Sequence, residues 1–403
     1  MTVLTILAAA PHRALFLSGA AQAVASMLWW LPMLATRLGG QAILPEPAIA
    51  AGAAHAWLML YGFMPFFVFG FLFTAMPNWL EAGAVGRRRY LGTAALLSLG
   101  AALFYPGLYW PPLAIVAVLV HLAGWGLGLA ALLPPLRSSK EPDRRHSWAA
   151  WTALALGGLG TGAYLVWLLG GAPVWLDLAL QLGVWGYLTP LFLVVCHRMI
   201  PWFTSRVLGN YVMIRPYAAL WVMLAACLGH GTLSLAGQYD WLWLTDLPLA
   251  TLTLWFTSRW GIARSFGVRL LAMLHIAFVW SALAFTLSGL DSLAGWLGLG
   301  LGGSFGLAPL HALAIGFFGS MLIGMASRVS LGHSGRGLVA DGYTWALFWL
   351  VQLTCLIRML PDLVGAPYAL IIASAVLWLA TFVPWAVRYA PIYWRPRADG
   401  KPG

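Results

Sequence analysis

Runs of roughly 20 apolar residues, separated by short polar breaks, recur from one end of the chain to the other. They fall at about 14–35, 52–76, 90–108, 111–134, 148–170, 175–197, 216–237, 241–258, 270–290, 304–327, 343–361 and 367–387. This spacing predicts twelve membrane-crossing helices. The boundaries are least sharp at the tight turn near Pro106-Gly107 and at the Trp-rich start of the eighth span.

Composition agrees with the pattern. Of 403 residues, 62% are hydrophobic and 8% charged, more apolar surface than a soluble globule of this size can bury. The expected fold is an all-α polytopic membrane protein, with residues 1–403 forming a single integral-membrane domain. The longest polar loop, Ser138-Ser139-Lys140-Glu141-Pro142, is the one candidate linker between halves, and Met1 to Arg13 is expected to stay on the chain rather than act as a cleaved signal peptide.

A net charge of +11 suits either nucleic acid or a membrane surface, and the placement of the charges decides. One face of the predicted bundle takes Arg13, Arg87 to Arg89, Arg137, Lys140, Arg144, Arg145, Arg198, Arg206, Arg215, Arg259, Arg264 and Arg269. It also takes Arg328, Arg336, Arg388, Arg395, Arg397 and Lys401, making 20 of the 22 basic residues. The other face keeps only Arg37 and Arg358, beside Glu46, Asp177, Asp240, Asp246, Asp291 and Asp362. By the positive-inside rule both termini are cytoplasmic. No nucleic-acid module is visible; the basic balance reports topology. Asp and Glu are expected to be absent from the membrane-embedded length of every span, so proton delivery would need water, Tyr61 or Tyr187.

Histidine carries the candidate chemistry. An imidazole inside hydrocarbon is costly unless it has a partner, a proton path or a metal. His55 and His311 each lie a few residues into an apolar span, about 5 Å and about 10 Å below its outer end at 1.5 Å per residue. Two histidines at similar depth are what a haem held from both faces requires. Without Cys-x-x-Cys-His the haem would be a non-covalent b-type group. Arg328 and Arg336 are candidates for its propionates, although simple topology explains them as well. A second site, for copper, would draw on His275 with His333 or His197. For those three, hydrogen bonding between helices or with interfacial water is the competing explanation. His121 and His230 read as interhelical hydrogen-bonders, and Cys196, Cys227 and Cys355 as buried apolar residues.

The motif-bearing spans are the second, sixth and tenth, four apart. They end in Phe73 to Trp79, Cys196 to Thr204 and Ser327 to His333. A period of four suggests three four-helix arcs, as in haem–copper oxidases, where the second and tenth helices supply both ligands of the low-spin haem. The oxidase copper motifs are missing here, so the analogy supports a haem and not an oxidase active site.

The closer resemblance is to the NnrS family of twelve-helix bacterial inner-membrane proteins. It rests on Pro11-His12-Arg13, His55-Ala56 with Met59 to Phe63, Pro77-Asn78-Trp79, Arg198 to Thr204, Leu274-His275 and His311 through Arg336. Ser330-Leu331-Gly332-His333-Ser334-Gly335-Arg336 is the most specific element. The resemblance implies haem and copper, nitric oxide or a related small molecule as ligand, an electron donor and a role in the nitric oxide response. Where the family often reads His-Ala-His-Glu, this chain has Trp57 and Leu58 in place of the second His and the Glu. A transporter of a metal, haem or an iron–NO species is the alternative reading.

Twelve spans make a definite topology. Reporter fusions after residues 85, 140, 172 and 205 should read inside, inside, outside and inside; an active periplasmic reporter at Lys140 would contradict it.

Overall fold

A computed structural model describes residues 2–39, 41–300 and 302–400; Lys401, counted above with the basic face, lies outside them. The described residues form helices joined by short loops, with no strand. The long helices are α1 (Pro11–Gly39), α2 (Ala51–Trp79), α3 (Arg87–Gly107), α4 (Pro111–Ser138), α5 (Arg145–Leu168) and α6 (Val174–Val207). They continue as α7 (Tyr217–Leu235), α8 (Trp243–Arg259), α9 (Arg269–Trp296), α10 (Ala308–His333), α11 (Gly342–Val364) and α12 (Ala369–Trp394). Eleven of these are long and apolar enough to cross a membrane. The exception is α8, whose 17 residues sit at the lower limit for a crossing. The protein is thus an all-α polytopic membrane protein.

The ambiguous turn at Pro106-Gly107 is resolved by local chemistry. Gly107 closes α3, and Pro111 and Pro112 open α4, where a missing N–H costs nothing. The two helices then pack backbone to backbone. A Cβ on Gly107 would stand 2.7 Å from Ala114 Cα, and one on Gly100 2.7 Å from the Ala117 carbonyl oxygen. Small residues are what permit such an approach in lipid.

The chain divides into two compact units. The first contains residues 1–191, 329–336 and 386–403; the second contains 192–328 and 337–385. In the first, α2 and α6 meet where the Tyr61 hydroxyl donates to the Ala179 carbonyl at 2.6 Å. In the second, Gln352 ties three helices. It accepts from Trp280 Nε1 at 2.5 Å and donates to Ser320 Oγ at 2.8 Å.

The three motif-bearing helices share a backbone feature. Each contains a π-helical stretch: Leu58–Phe63 in α2, Leu182–Leu188 in α6 and Ala312–Gly319 in α10. π-Helical turns are rare, widen the helix by a residue and concentrate at functional sites. The period of four read from the motifs therefore recurs as a period in backbone geometry.

One expectation is overturned. Asp246 is fully buried within α8, not outside the spans. His230 Nδ1 on α7 donates to its Oδ1 at 2.7 Å, and the Ser288 hydroxyl on α9 donates to its Oδ2 at 2.6 Å. A carboxylate is tolerated in apolar surroundings when its oxygens are answered in this way. Asp246→Ala would strand two donors. Interhelical hydrogen bonds in membranes average about 0.6 kcal/mol, whereas breaking a buried ion pair costs about 3–5 kcal/mol. With two bonds lost at once, we expect a loss of about 2 kcal/mol, read as a lower melting temperature of the purified protein. An unchanged melting temperature would show that the network does not hold the second unit together.

Candidate functional site

His55 lies half-buried in the first turns of α2, its ring stacked on Trp30 of α1 with centroids 4.2 Å apart and planes 10° from parallel. Stacking covers the faces of an imidazole and leaves its in-plane nitrogens, the metal-binding atoms, unobstructed by that contact. The same Trp30 ring carries the Arg37 guanidinium at 5.4 Å. Arg37 is one of the two basic residues on the sparsely charged face.

His311 is also half-buried, at the junction of the first turn of α10 with its π-helical stretch. Its Nδ1 lies 2.9 Å from the Leu307 carbonyl oxygen. A carbonyl only accepts, so Nδ1 carries the proton and Nε2 presents a lone pair. Metal-ligating histidines are commonly held this way, with the distal nitrogen bound to a backbone carbonyl. Arg358 on α11 is close enough to act electrostatically on His311 and is paired with Asp362 at 2.7 Å. It is the other basic residue of that face. Arg328, by contrast, is seventeen residues further along α10, about 25 Å at helical rise. Its guanidinium carbon lies 4.0 Å from the centre of the Phe203 ring.

The histidines expected at a copper site keep separate company. His275 Nε2 is 3.1 Å from Thr204 Oγ1, whose own proton goes to the Ile200 carbonyl at 2.8 Å. His197 lies seven residues before Thr204 on α6, about 10 Å away along the helix, among Tyr217, Phe256 and Trp260. His333 belongs to the first unit, and these two to the second. Among the described residues no group of three or more His, Cys, Asp or Glu is disposed to hold a metal ion.

Where His333 does go was not anticipated. Its ring meets that of His12, centroids 4.9 Å apart, so the segment most specific to the resemblance packs on Pro11-His12-Arg13. The contact is built by the chain's last residues. Arg13, almost fully buried, donates from one terminal nitrogen to the carbonyls of Tyr393 at 3.2 Å and Arg395 at 2.9 Å, capping α12. Arg397 donates to the His333 carbonyl at 3.1 Å while pairing with Asp399, and the Ala398 N–H donates to the Ser334 carbonyl at 2.8 Å. Gly335 has φ +70°, and a Cβ there would lie 2.5 Å from the Asp399 carboxyl carbon. Only glycine suits both the backbone and the space.

Sequence reasoning missed His12 and Asp246 as site residues. For His12 the signal was present, since it belongs to one of the quoted motifs. For Asp246 the signal was a lone carboxylate inside an apolar run. His121 is as the sequence suggested: Nδ1 donates to the Leu97 carbonyl at 3.2 Å. Its ring meets Trp57 edge-on at 5.3 Å, and Trp57 stacks on Phe104 at 3.9 Å. At the position where the family often has a second histidine, this chain has aromatic packing.

No curated protein matches the chain. The family profile described as NnrS protein matches residues 6–397, nearly its whole length. The chain belongs to the NnrS family, membrane proteins of the nitric oxide response.

Proposed function

We propose that the protein protects the cell against nitric oxide from the bacterial inner membrane, binding or turning over NO at a non-covalent haem b with His55 and His311 as axial ligands. The observation that carries this reading is electrostatic. Only Arg37 and Arg358 break the segregation of basic residues to one face. Arg37 lies over the tryptophan on which His55 stacks, and Arg358 stands one helical turn past Cys355, whose thiol donates to the His311 carbonyl at 3.5 Å. Topology does not explain these two cations; the carboxylates of a haem would, with Arg358 shared between them and Asp362.

The chain's own residues supply orientation. Leu307 holds the His311 ring with its Nε2 lone pair outward, and Trp30 fixes the plane of His55. A ferrous haem would supply an iron for NO, at a position that one of the two histidines would have to vacate. NO is small and apolar, so it enters the bundle from lipid without a polar channel; turnover would require an electron donor. For copper, which the family resemblance implies, the described residues offer no group of three or more His, Cys, Asp or Glu, and no step is assigned to it.

His311→Ala and His55→Ala should each abolish the Soret band of the purified protein while leaving its membrane level unchanged. Arg358→Gln should keep the band but retain haem several-fold less well through purification. Two unaltered spectra from the histidine variants would refute the ligand assignment.

In cells, deletion should slow anaerobic growth under NO, when oxygen-dependent removal is absent. Wild type should restore growth and His311→Ala should not, at equal protein levels. Full rescue by His311→Ala would turn the argument towards transport. NO consumption by membranes supplied with an electron donor separates turnover from binding.

A further inference from the structure

The cluster around His12 and His333 holds more positive charge than it answers. Three guanidiniums converge there: Arg397 and Arg336 both act electrostatically on Arg13, and Arg397 and Arg13 act on His333. Two of the three are accounted for. Arg13 spends its charge on the carbonyl end of α12, where the helix dipole is negative. Arg397 is paired with Asp399. Arg336 has no such answer, and one of its terminal nitrogens is buried without a hydrogen-bond partner.

A second orphan accompanies it. His12 is 4% exposed and its Nδ1 makes no hydrogen bond. A buried polar nitrogen left unpaired is costly, more so when the group is charged. Two in one cluster call for a shared acceptor. His12 sits in the first turn of the 29-residue α1, where free backbone N–H groups and the helix dipole also favour an anion. The cluster is open on one side, since Gly332 and His333 are exposed. It forms where α1 begins and α10 and α12 end, on the face that gathers the basic residues. Helix ends of membrane proteins lie at the level of lipid headgroups.

We propose that His12 and Arg336 form an anion site for a phosphate group, closed beneath by the Arg13 and Arg397 contacts. A guanidinium fork matches phosphate oxygens two at a time, and the His12 Nδ1–H donates to a third. The phosphate comes from one of two sources, the phosphodiester of an anionic lipid or a soluble phosphate. The surrounding guanidiniums make the pair a poor seat for a bare metal cation. Arg336 is also a candidate for a haem propionate, so the experiment must tell the two anions apart.

The test uses the purified full-length protein. Its melting temperature is followed by tryptophan fluorescence in inorganic phosphate and in chloride at matched ionic strength, and native mass spectrometry counts bound phosphatidylglycerol. Wild type should be stabilised by phosphate beyond chloride, or should retain phosphatidylglycerol that phosphate displaces. Arg336→Gln should weaken either effect about ten-fold or more, as loss of a charged hydrogen bond does. Arg336→Lys, which keeps the charge and loses the fork, guards against misfolding and should fall between. Arg88→Gln, an exposed change on the same face, should leave both readouts as in wild type. Lipid retention identifies the headgroup as source; stabilisation by phosphate without retained lipid identifies a soluble one. Equal responses from wild type and both Arg336 variants would overturn the proposal. So would a wild type that responds to neither probe, or loss of haem in Arg336→Gln with no phosphate effect, which would make the anion a propionate.

Discussion

A polar group inside a lipid-facing helical bundle has no water to fall back on, so it must find its partner within the protein. The structure is organised around that constraint. Asp246 is answered by His230 and Ser288, Gln352 by Trp280 and Ser320, and Tyr61 by the Ala179 carbonyl. Each answer comes from a different helix, so satisfying the group also fixes how helices pack. With so little hydrophobic force between helices in lipid, these bonds and close glycine contacts such as Gly107 on Ala114 do the specifying.

The same constraint makes the exceptions informative. Several buried side-chain polar atoms among the described residues make no hydrogen bond, and His12 Nδ1 and the Arg336 terminal nitrogen are two that belong to one cluster. They occur where two separately recognised motifs meet, at a contact assembled by the chain's last residues. The charge pattern has exceptions of the same kind. Arg37 and Arg358 are the two basic residues that the charge pattern sets apart; Arg37 lies over the Trp30 on which His55 stacks, and Arg358 stands one turn past Cys355, whose thiol donates to the His311 carbonyl.

The π-helical stretches connect these features to the backbone. They occur in α2, α6 and α10 alone among the described long helices, the three that carry motifs. Two of them lie just past the candidate ligands, Leu58–Phe63 after His55 and Ala312–Gly319 after His311. A π turn rotates the following residues relative to an α-helix, so a ligand before it and a motif after it can face different neighbours.

The sequence by itself determined the class of fold and most helix boundaries, because hydrophobic length and the sidedness of Arg and Lys are properties of the chain read one segment at a time. It marked the start of α8 as one of two uncertain places, and α8 is the one that falls short in length. It singled out His55 and His311 by depth, and the lone-pair orientation of His311 is consistent with that choice. What it misjudged depended on contacts between segments far apart in the chain. Asp246 was counted outside the spans although it falls within the apolar run 241–258, and its partners, 16 and 42 residues away, are not visible in that run. The sequence did not foresee the ring contact of His333 with His12, at the other end of the chain. Only the tertiary structure decided these, because pairing a buried polar group depends on which helices pack together, and that is not a local property of the chain.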